Sequence, residues 1–370
     1  MILKKYFSNI NKNYGQHKFS GISFNSNKIK KDFIFFAITG EKINGKKFIN
    51  DAIKKGAKTI ISDLKFTGYK KNVLFLNYKN PRKILSEIAC KIYKKKPKNL
   101  IAVTGTNGKT SISNFFFQIL KLNKKKVASI GTLGVNFKNA NVDINNTTLD
   151  PISLNKILEK QSKRKIENVI LEASSHGLRQ NRLDGLNFNI GIFTNLSRDH
   201  LDYHKSFKNY FESKMILFNK LMKIKSKIIY DNDINQSKLL KKISIKKKLI
   251  PITIGNDNSD LKIINHKFIG NKQEVEFIFN KKSYSFTANL IGKIQIKNLI
   301  MAIIAAYKTN LSMKKIMKSI NKIKSVNGRF EQIGNLKNNS KVILDYAHTP
   351  DALKTCLLNI KEQFKLNKIN

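Results

Sequence analysis

The chain has 370 residues, 41% of them hydrophobic, and its 71 Lys and Arg against 24 Asp and Glu give a net charge of +47. This length and apolar content predict two or three folded domains and exclude a mainly disordered protein. No run of about 18 apolar residues occurs, and the opening Met1 to Ile10 has too short an apolar run for a signal peptide, so we expect a soluble, cytoplasmic protein without membrane insertion. The two cysteines, Cys90 and Cys356, lie far apart without neighbours at metal-ligand spacing, which argues against a disulfide framework or a zinc site.

The positive charge has two possible explanations. Neutralisation of nucleic-acid phosphates is one of them. However, the lysines are spread along the whole chain, arginine is scarce, and Asn and Ile are abundant, as in proteins from AT-rich genomes. We therefore favour a compositional origin and expect no specific nucleic-acid partner, although the charge should attract anionic ligands.

Residues 1–98 predict a small α/β domain. Short apolar runs bounded by glycines and polar residues indicate strands, and helical spacing of apolar residues indicates helices. The strands are expected at 32–39, 59–62 and 73–76, and the helices at 47–55 and 81–95. Pro97 follows the second helix and marks the first expected domain boundary.

Residues 99–325 predict a doubly wound, mostly parallel sheet, because strand patterns alternate with helix patterns. Strands are expected at 100–104, 126–130, 168–172, 189–194 and 227–230. Helices are expected at 109–122, 153–163 and 206–223, followed by a β-rich stretch at 261–290 and helices at 294–309 and 312–322.

Residues 326–370 contain one strand pattern, 341–346, and one helix pattern from Pro350. One strand and one helix cannot bury a core of their own. This region is therefore expected to begin a third, Rossmann-like α/β domain and to leave it incomplete.

The strongest motif is Ile101-Ala-Val-Thr-Gly-Thr-Asn-Gly-Lys-Thr-Ser111, in which a strand leads through a glycine loop into a helix. Such a loop wraps a polyphosphate with its backbone N–H groups, Lys109 adds a positive charge, and the Thr110 hydroxyl can reach Mg²⁺. The motif predicts binding of a nucleoside triphosphate.

Two polar clusters follow later strands. Glu172 ends the strand before Ala173-Ser-Ser-His-Gly-Leu-Arg179, where its carboxylate suits a hard cation, although a solvated turn explains this segment equally well. Thr194-Asn-Leu-Ser-Arg-Asp-His-Leu-Asp-Tyr-His204 has two His and two Asp within six residues. Its position after a strand favours a metal or phosphate role.

These motifs together resemble the Mur ligases of peptidoglycan synthesis, and most closely the MurE type. The resemblance rests on the glycine loop, the two polar clusters, Gly328-Arg-Phe-Glu331 and Asp345-Tyr-Ala-His-Thr-Pro-Asp-Ala352. Phe33-Ile-Phe-Phe-Ala-Ile-Thr-Gly40 resembles the family's amino-terminal uridine-nucleotide domain, and Ser174-Ser-His-Gly-Leu-Arg-Gln180 is MurE-like. The resemblance implies a ligase that joins a diamino acid, meso-diaminopimelate or L-lysine, to UDP-MurNAc-L-Ala-D-Glu with ATP, Mg²⁺ and an acyl phosphate intermediate.

The resemblance also assigns roles to residues. The catalytic residues would be Lys109, Glu172, His200 and Lys214, with Lys214 carboxylated on its amine by CO₂. The metal ligands would be Thr110, at the Mg²⁺ held with the ATP phosphates, and Glu172 and His200, at a second Mg²⁺ near the transferred phosphate. The ATP-binding residues would be Gly105, Thr106, Asn107, Gly108, Lys109, Thr110, Ser111, Asn298, Arg329 and Asp345, of which the last three would contact adenine, phosphate and ribose. The muramoyl-peptide substrate would be held by Ser26, Asn146, Thr147, Thr148, Ser174, Gln180 and Arg182.

Two other classes of enzyme share parts of this pattern. A folylpolyglutamate synthetase relative would have the ATP core but should lack the segment Phe33 to Gly40. A nucleic-acid-dependent P-loop ATPase would use the positive charge and should be stimulated by DNA or RNA. The family's motif for the incoming diamino acid is not found before Asn370, which predicts retained nucleotide sites with impaired ligation. A monomer is expected.

Overall fold

Two compact units make up the chain in the computed structural model, which describes residues 1–40, 43–137, 140–142, 146–336 and 340–364. The first unit comprises Met1–Lys96, Leu149–Lys160 and Gln180–Leu186. The second comprises Pro97–Thr148, Gln161–Arg179 and Asn187–Asn370. The α/β class is confirmed, whereas the division into three domains at residues 98 and 325 stays a prediction.

The first unit is built on a five-stranded sheet. Its strands are β1 (Gly21–Ser23), β2 (Phe33–Phe36), β3 (Ala57–Ser62), β4 (Gly68–Lys70) and β5 (Val73–Asn77), and its helices include α1 (Ile49–Lys54) and α2 (Pro81–Ile92). The strand order is β1-β2-β3-β5-β4, with β4 antiparallel to β5 and the other pairs parallel.

The packing of strand β2 shows that helices cover both faces of this sheet. Phe36 packs in one apolar cluster with Leu85 of α2, whereas Phe35 packs in a second cluster with Ala52 of α1. A strand buried on both faces has a continuous apolar run instead of an alternating one, as seen in the sequence of β2. Helix α2 begins at Pro81, and the side chain of Asn80 caps it by accepting a hydrogen bond from the Lys83 N–H at 3.0 Å.

The second unit contains a sheet of eleven strands in the described residues. These are β6 (Asn99–Thr104), β7 (Val127–Gly131), β8 (Gly134–Phe137), β9 (Ala140–Val142), β10 (Asn168–Glu172), β11 (Phe188–Phe193), β12 (Met222–Asp231), β13 (Ile250–Gly255), β14 (Leu261–Ile269), β15 (Lys272–Phe279) and β16 (Lys282–Ala288). Its helices are α3 (Lys109–Leu122), α4 (Pro151–Lys163, shared with the first unit), α5 (Ser175–Arg179), α6 (Leu201–His204), α7 (Phe207–Lys220), α8 (Ser237–Lys246), α9 (Lys293–Tyr307) and α10 (Met313–Ile320).

The strand order β16-β15-β14-β13-β12-β11-β6-β10-β7-β8-β9 places β6 between β10 and β11. All three of these strands are parallel, and the chain runs to opposite sides of β6 in its two halves. The carboxyl ends of β6, β10 and β11 therefore meet at the reversal of strand order, where doubly wound sheets bind ligands.

Helices α3 and α9 fill the core beneath this point. Phe115 and Phe116 of α3 and the run from Leu299 to Ala306 of α9 are almost completely buried in one apolar cluster. Helix α9 is apolar around its circumference, and a sequence of that kind predicts a core helix. This packing fixes the start of α3 and hence the glycine loop before it.

The last described elements, β17 (Glu331–Asn335), β18 (Lys341–Leu344) and α11 (Pro350–Phe364), belong to the second unit. The two strands form an antiparallel hairpin. Phe330, Cys356 and Ile291 form a small apolar cluster that anchors α11 beside α9.

Several elements differ from the sequence prediction. The helix expected at 206–223 ends at Lys220, and β12 already begins at Met222 instead of residue 227. Helix α8 and strand β13 were not predicted, because their lysine-rich sequences weaken the apolar pattern. Within the described ranges, no helix is long and apolar enough to cross a membrane.

Candidate functional site

The glycine loop lies where β6 ends and α3 begins, as the motif predicts. Gly105 and Gly108 have φ values of +147° and +87°, which L side chains rarely adopt. A Cβ atom on Gly108 would lie 2.6 Å from Asn298 Oδ1, and one on Gly105 would overlap the Thr194 hydroxyl. Both positions therefore require glycine for conformation and for space.

The loop is held from the end of β11. The Asn107 N–H donates to Asn195 Oδ1 at 2.9 Å, and the Thr194 hydroxyl donates to Asn107 O at 2.6 Å. The Thr106 N–H donates to Asn195 O at 3.0 Å. Backbone groups that would wrap a polyphosphate are thus fixed by a neighbouring strand.

Two lysine side chains point at the same carbonyl group of this loop. Lys109 Nζ donates to Gly105 O at 2.9 Å and to Thr106 O at 2.7 Å, and Lys214 Nζ donates to Gly105 O at 2.8 Å. Burial lowers the pKa of Lys109, while Glu172 and Asp199 oppose this shift by their negative charge. The lysine predicted to meet the phosphates therefore lies at the loop.

Lys214 is one of the most deeply buried side chains of the protein, at 1% exposure. Its Nζ lies 4.1 Å from the centre of the Tyr210 ring, one turn earlier on α7. Burial, together with the nearby charge of Lys109, lowers its pKa well below the ordinary value of 10.5. This environment thus shifts the amine toward its neutral, nucleophilic form.

Glu172, the last residue of β10, is 2% exposed. Its carboxylate accepts hydrogen bonds from the Thr110 hydroxyl at 3.0 Å, the Thr132 N–H at 2.9 Å and the Thr132 hydroxyl at 3.2 Å. Burial raises its pKa, against the opposing effects of Lys109 and of these hydrogen bonds. The strand-end carboxylate and the Thr110 hydroxyl, each predicted to bind Mg²⁺, are thus in direct contact.

His200 caps the short helix α6 with a left-handed backbone, φ +52°. Its Nε2 lies 3.4 Å from Asp199 Oδ2, and its side chain is 43% exposed. Burial lowers its pKa more than Asp199 raises it, so the imidazole is neutral at pH 7. A neutral imidazole is the form that binds a metal.

Histidine and tyrosine rings surround His200. His176 packs edge-on against His200 at 4.8 Å between ring centres and stacks on Tyr203 at 4.1 Å. His204 is 4% exposed, its Nε2 has no hydrogen-bond partner, and burial lowers its pKa to about 4. Three of the six histidines of the chain thus meet in one cluster.

The C-terminal segment supplies another wall. Asp345 accepts hydrogen bonds from the Phe330 N–H at 2.9 Å and the Ala347 N–H at 2.8 Å, which ties its turn to that of Arg329. The guanidinium of Arg329 lies 4.5 Å from the centre of the Tyr346 ring. Asn298 Nδ2 donates to Gln295 Oε1 at 3.3 Å.

These groups line one cavity of about 430 Å³ that lies wholly within the second unit. The cavity brings together every predicted catalytic, metal and ATP residue except Gly105, namely Thr106, Asn107, Gly108, Lys109, Thr110, Ser111, Glu172, His200, Lys214, Asn298, Arg329 and Asp345. The arrangement places a polyphosphate loop, a buried carboxylate and two lysine amines around one space.

The residues predicted to hold the muramoyl peptide fall into both units. Thr147 and Ser174 line the cavity, and Thr148 lies buried behind them, donating to Glu172 O at 2.8 Å and accepting from the Ser174 N–H at 2.9 Å. Asn146 is exposed. Ser26, Gln180 and Arg182 belong to the first unit, where Arg182 Nη2 donates to Gln180 Oε1 at 2.7 Å.

The residues of the cavity wall that sequence reasoning missed include Thr132, Asp199, Tyr210 and Gln295. Thr132 directly follows strand β7. Position at the carboxyl end of a strand, the signal that indicated Glu172, would also have indicated Thr132. Tyr210 lies four residues before Lys214 on α7, a spacing that puts both on one helix face. Asp199 stood inside a recognised motif, whereas Gln295 had no comparable signal.

The residues present fit Mg²⁺ bound together with a phosphate ligand. Among the described residues, no group of three or more His, Cys, Asp or Glu side chains could hold a metal ion alone. Mg²⁺ commonly takes one or two protein ligands plus substrate phosphates, and Glu172 in contact with Thr110 offers that oxygen-rich arrangement.

Comparisons with known protein families match two parts of the chain. Residues 103–306 match the Mur ligase middle domain, and residues 18–93 match the catalytic domain of the Mur ligase family. The second match covers the segment that a folylpolyglutamate synthetase was expected to lack.

Curated relatives extend over most of the chain. The UDP-N-acetylmuramoyl-L-alanyl-D-glutamate–2,6-diaminopimelate ligase of Rickettsia montanensis is 38% identical over 360 residues, covering 95% of this chain and 73% of the relative. The enzyme of the same name from Buchnera aphidicola subsp. Schizaphis graminum is 38% identical over 368 residues, covering 96% and 73%.

Solved structures agree in fold. A UDP-N-acetylmuramoyl-L-alanyl-D-glutamate–2,6-diaminopimelate ligase superposes with a TM-score of 0.83 at 28% identity, covering 98% of this chain and 74% of that chain. The MurF ligase from Thermotoga maritima in complex with ADP gives 0.64 at 18% identity, covering 91% and 74%. The apo form of L. casei FPGS gives 0.63 at 14% identity, covering 76% and 75%, and shares the fold alone.

Proposed function

The chain belongs to the Mur ligase family of ATP-dependent, amide-forming ligases, and from this premise we propose that it joins 2,6-diaminopimelate to UDP-N-acetylmuramoyl-L-alanyl-D-glutamate. The relatives that it matches over most of its length carry that substrate and that amino acid in their names. One observation supports the proposal above all: the glycine loop, Glu172, Lys214 and Arg329 line a single cavity.

The reaction requires activation of a carboxylate, whose own leaving group would be oxide. ATP would transfer its terminal phosphoryl group to the D-glutamate carboxylate and release ADP. The amine of the amino acid would then attack the acyl phosphate carbon, and the resulting tetrahedral intermediate would expel inorganic phosphate and leave an amide bond.

The protein's own contribution is positioning and charge neutralisation. The N–H groups of the loop and the N-terminus of α3 would face the β- and γ-phosphates, and Lys109 would exchange its carbonyl contacts for phosphate oxygens. Arg329 would neutralise charge from the opposite wall, held in orientation by Tyr346 and by the Asp345 turn. A cavity of about 430 Å³ offers space for the reacting groups.

Thr110 would hold Mg²⁺ together with the ATP phosphates, and Glu172 and His200 would hold a second Mg²⁺ near the transferred phosphate. When bound, these ions would neutralise phosphate charge. Glu172 keeps its carboxylate beside the Thr110 hydroxyl at 3.0 Å, and the neutral imidazole of His200 lines the same cavity.

Lys214 would carry a carbamate. Its neutral amine would add to the carbon of CO₂ and release one proton, which converts a buried amine into a carboxylate-like group. The lowered pKa supports this step, because a protonated amine has no lone pair to attack CO₂. The carbamate would in turn be stabilised by the positive charge of Lys109, which now repels the protonated amine.

Thr147 and Ser174, at the cavity wall, would contact the peptide end of the substrate, supported by Asn146 and Thr148. Ser26, Gln180 and Arg182 of the first unit would also bind the muramoyl-peptide substrate. We expect the reaction to occur in the cytoplasm, where both nucleotide substrates are found, and we expect a monomer.

The proposal is tested by incubating the chain with ATP, Mg²⁺, the uridine-linked dipeptide and either meso-diaminopimelate or L-lysine, and weighing the products by mass spectrometry. Product containing diaminopimelate is expected, and a lysine product would change the amino acid but keep the ligase assignment. Lys109→Met should abolish ligation, whereas the exposed Lys125→Met beyond the end of the same helix should not. No product with either amino acid from folded protein would overturn the proposal.

A further inference from the structure

His176 occupies a place in the site that the proposed reaction leaves unexplained. It lies on α5, four residues after Glu172, and it contacts three rings of the α6 segment. It stacks on Tyr203 with centres 4.1 Å apart and an angle of 29°, and it meets the ring of His200 edge-on at 4.8 Å and 87°. These contacts connect the turn after β10 with the turn that carries His200.

The His200 turn has little intrinsic rigidity. Helix α6 is four residues long, and the residues that flank it, His200 and Lys205, both have left-handed backbones with φ values of +52° and +65°. The His200 side chain is 43% exposed, so core packing alone does not fix its ring. A metal-binding imidazole needs a fixed ring orientation, which neighbouring groups usually supply.

The rings that contact His176 are themselves held by further ring contacts. His204 is 4% exposed and packs edge-on against Tyr203 at 4.7 Å and beside Tyr210 at 5.1 Å. Tyr210 in turn donates to or accepts from the Thr106 hydroxyl of the glycine loop at 3.1 Å. A continuous set of contacts thus runs from His176 through the buried rings to the loop.

We propose that His176 is a positioning residue that orients the imidazole of His200 toward the metal and phosphate site. Its ring stack with Tyr203 sets the plane of His176, and the edge-on contact transmits that orientation to His200. Helix α5 follows the strand that ends at Glu172. The contact between His176 and His200 therefore also fixes the position of His200 relative to Glu172. This inference rests on the proposed role of His200.

The experiment observes the imidazole of His200 by NMR and measures the Mg²⁺ dependence of ligation separately. In protein labelled with ¹⁵N-histidine, six imidazoles give signals, and His200→Gln identifies those of His200. His176→Ala is expected to shift or broaden the His200 signals in the absence of any nucleotide. It should also raise the Mg²⁺ concentration for half-maximal ligation by about 10-fold, with little change in KM for ATP.

His176→Phe keeps an aromatic ring for stacking. It should restore the His200 signals and bring the Mg²⁺ concentration for half-maximal ligation to within about 3-fold of the wild-type value. His266, a half-buried histidine whose ring lies 4.9 Å from Phe268 on β14, provides the matched control, and His266→Ala should change neither. If His176→Ala does not fold, His176→Leu, which fills the space without a ring, takes its place.

Wild-type His200 signals and a wild-type Mg²⁺ requirement in His176→Ala would overturn the inference. Absence of ligation in the wild-type chain would instead count against the proposed function, and the NMR comparison would still decide whether His176 orients His200. Equal loss in every kinetic constant, with unchanged His200 signals, would show a structural role only and also overturn it.

Discussion

The amines of Lys109 and Lys214 donate hydrogen bonds to the same backbone oxygen, that of Gly105. Two ammonium groups at one carbonyl repel each other, and Lys214 is fully buried whereas Lys109 is half-buried. The negative charges of Glu172 and Asp199 favour the protonated form of Lys109, whereas burial and the charge of Lys109 disfavour the protonated form of Lys214. The fold thus lowers the pKa of both amines, and lowers that of Lys214 well below its ordinary value.

The first prediction concerns Lys214. In protein kept at pH 7 with ¹³C-bicarbonate, a carbamate signal is expected, because the lowered pKa increases the share of neutral amine above that of an ordinary lysine. Lys214→Met should remove this signal and lower ligation by about 100-fold or more. The exposed Lys220→Met at the end of the same helix serves as the control and should retain both. A carbamate signal that persists in Lys214→Met would assign the modification elsewhere.

A second prediction separates stability from activity at Glu172. Burial raises the folded-state pKa above its ordinary value of 4.5, so the folded chain binds the proton more tightly than the unfolded chain. The stability that this carboxyl contributes is therefore present below pH 4.5 and is lost as the pH rises through the raised pKa. Glu172→Gln stays neutral at every pH, so its stability relative to the wild type should increase from pH 4 to pH 7.

Urea unfolding of both proteins at the two pH values measures this effect, and ligation by Glu172→Gln should fall by about 100-fold or more. The exposed Glu274→Gln on β15 is the control for loss of one negative charge. A relative stability of Glu172→Gln that is the same at pH 4 and pH 7 would contradict the assignment of a raised pKa.

The site shows why sequence reasoning located some features and missed others. The glycine loop and Glu172 were found because each follows a buried strand, and strand-end position is a local property of the sequence. Ser174 and Arg182 lie eight residues apart, yet they belong to different compact units, which no local pattern reveals. The start of β12 at Met222 was missed for a similar reason, since its pairing with Phe188 of β11 is a contact between distant segments.

A third prediction tests how closely β7 approaches Glu172. A Cβ atom on Gly131 would lie 2.5 Å from the Glu172 carboxyl carbon, although the backbone of Gly131 does not lie in the left-handed region. Gly131→Ala should therefore destabilise the protein by about 1–3 kcal/mol through overpacking. In a Glu172→Ala background the same substitution should cost much less, because the clashing atoms are gone.

The double-mutant cycle, measured by urea unfolding, gives the coupling between the two positions directly. Gly334→Ala is the matched control, because a Cβ atom there would meet no atom within 4 Å. Additive effects of Gly131→Ala and Glu172→Ala would show that the carboxylate does not occupy the position described.

The last prediction concerns the cation–π contact between Arg329 and Tyr346, whose centres are 4.5 Å apart. Tyr346 is 61% exposed, so the contact is worth about 0.5–1 kcal/mol, which corresponds to about a 2- to 5-fold change in an equilibrium constant. Tyr346→Leu should raise KM for ATP by that factor, since Arg329 loses the ring that orients it toward the phosphates. Tyr346→Phe retains the ring and should bind ATP like the wild type. If both variants raise KM for ATP equally, the phenol hydroxyl and not the ring face is the group that matters. If both bind ATP like the wild type, the orientation of Arg329 depends on the Asp345 turn and not on Tyr346.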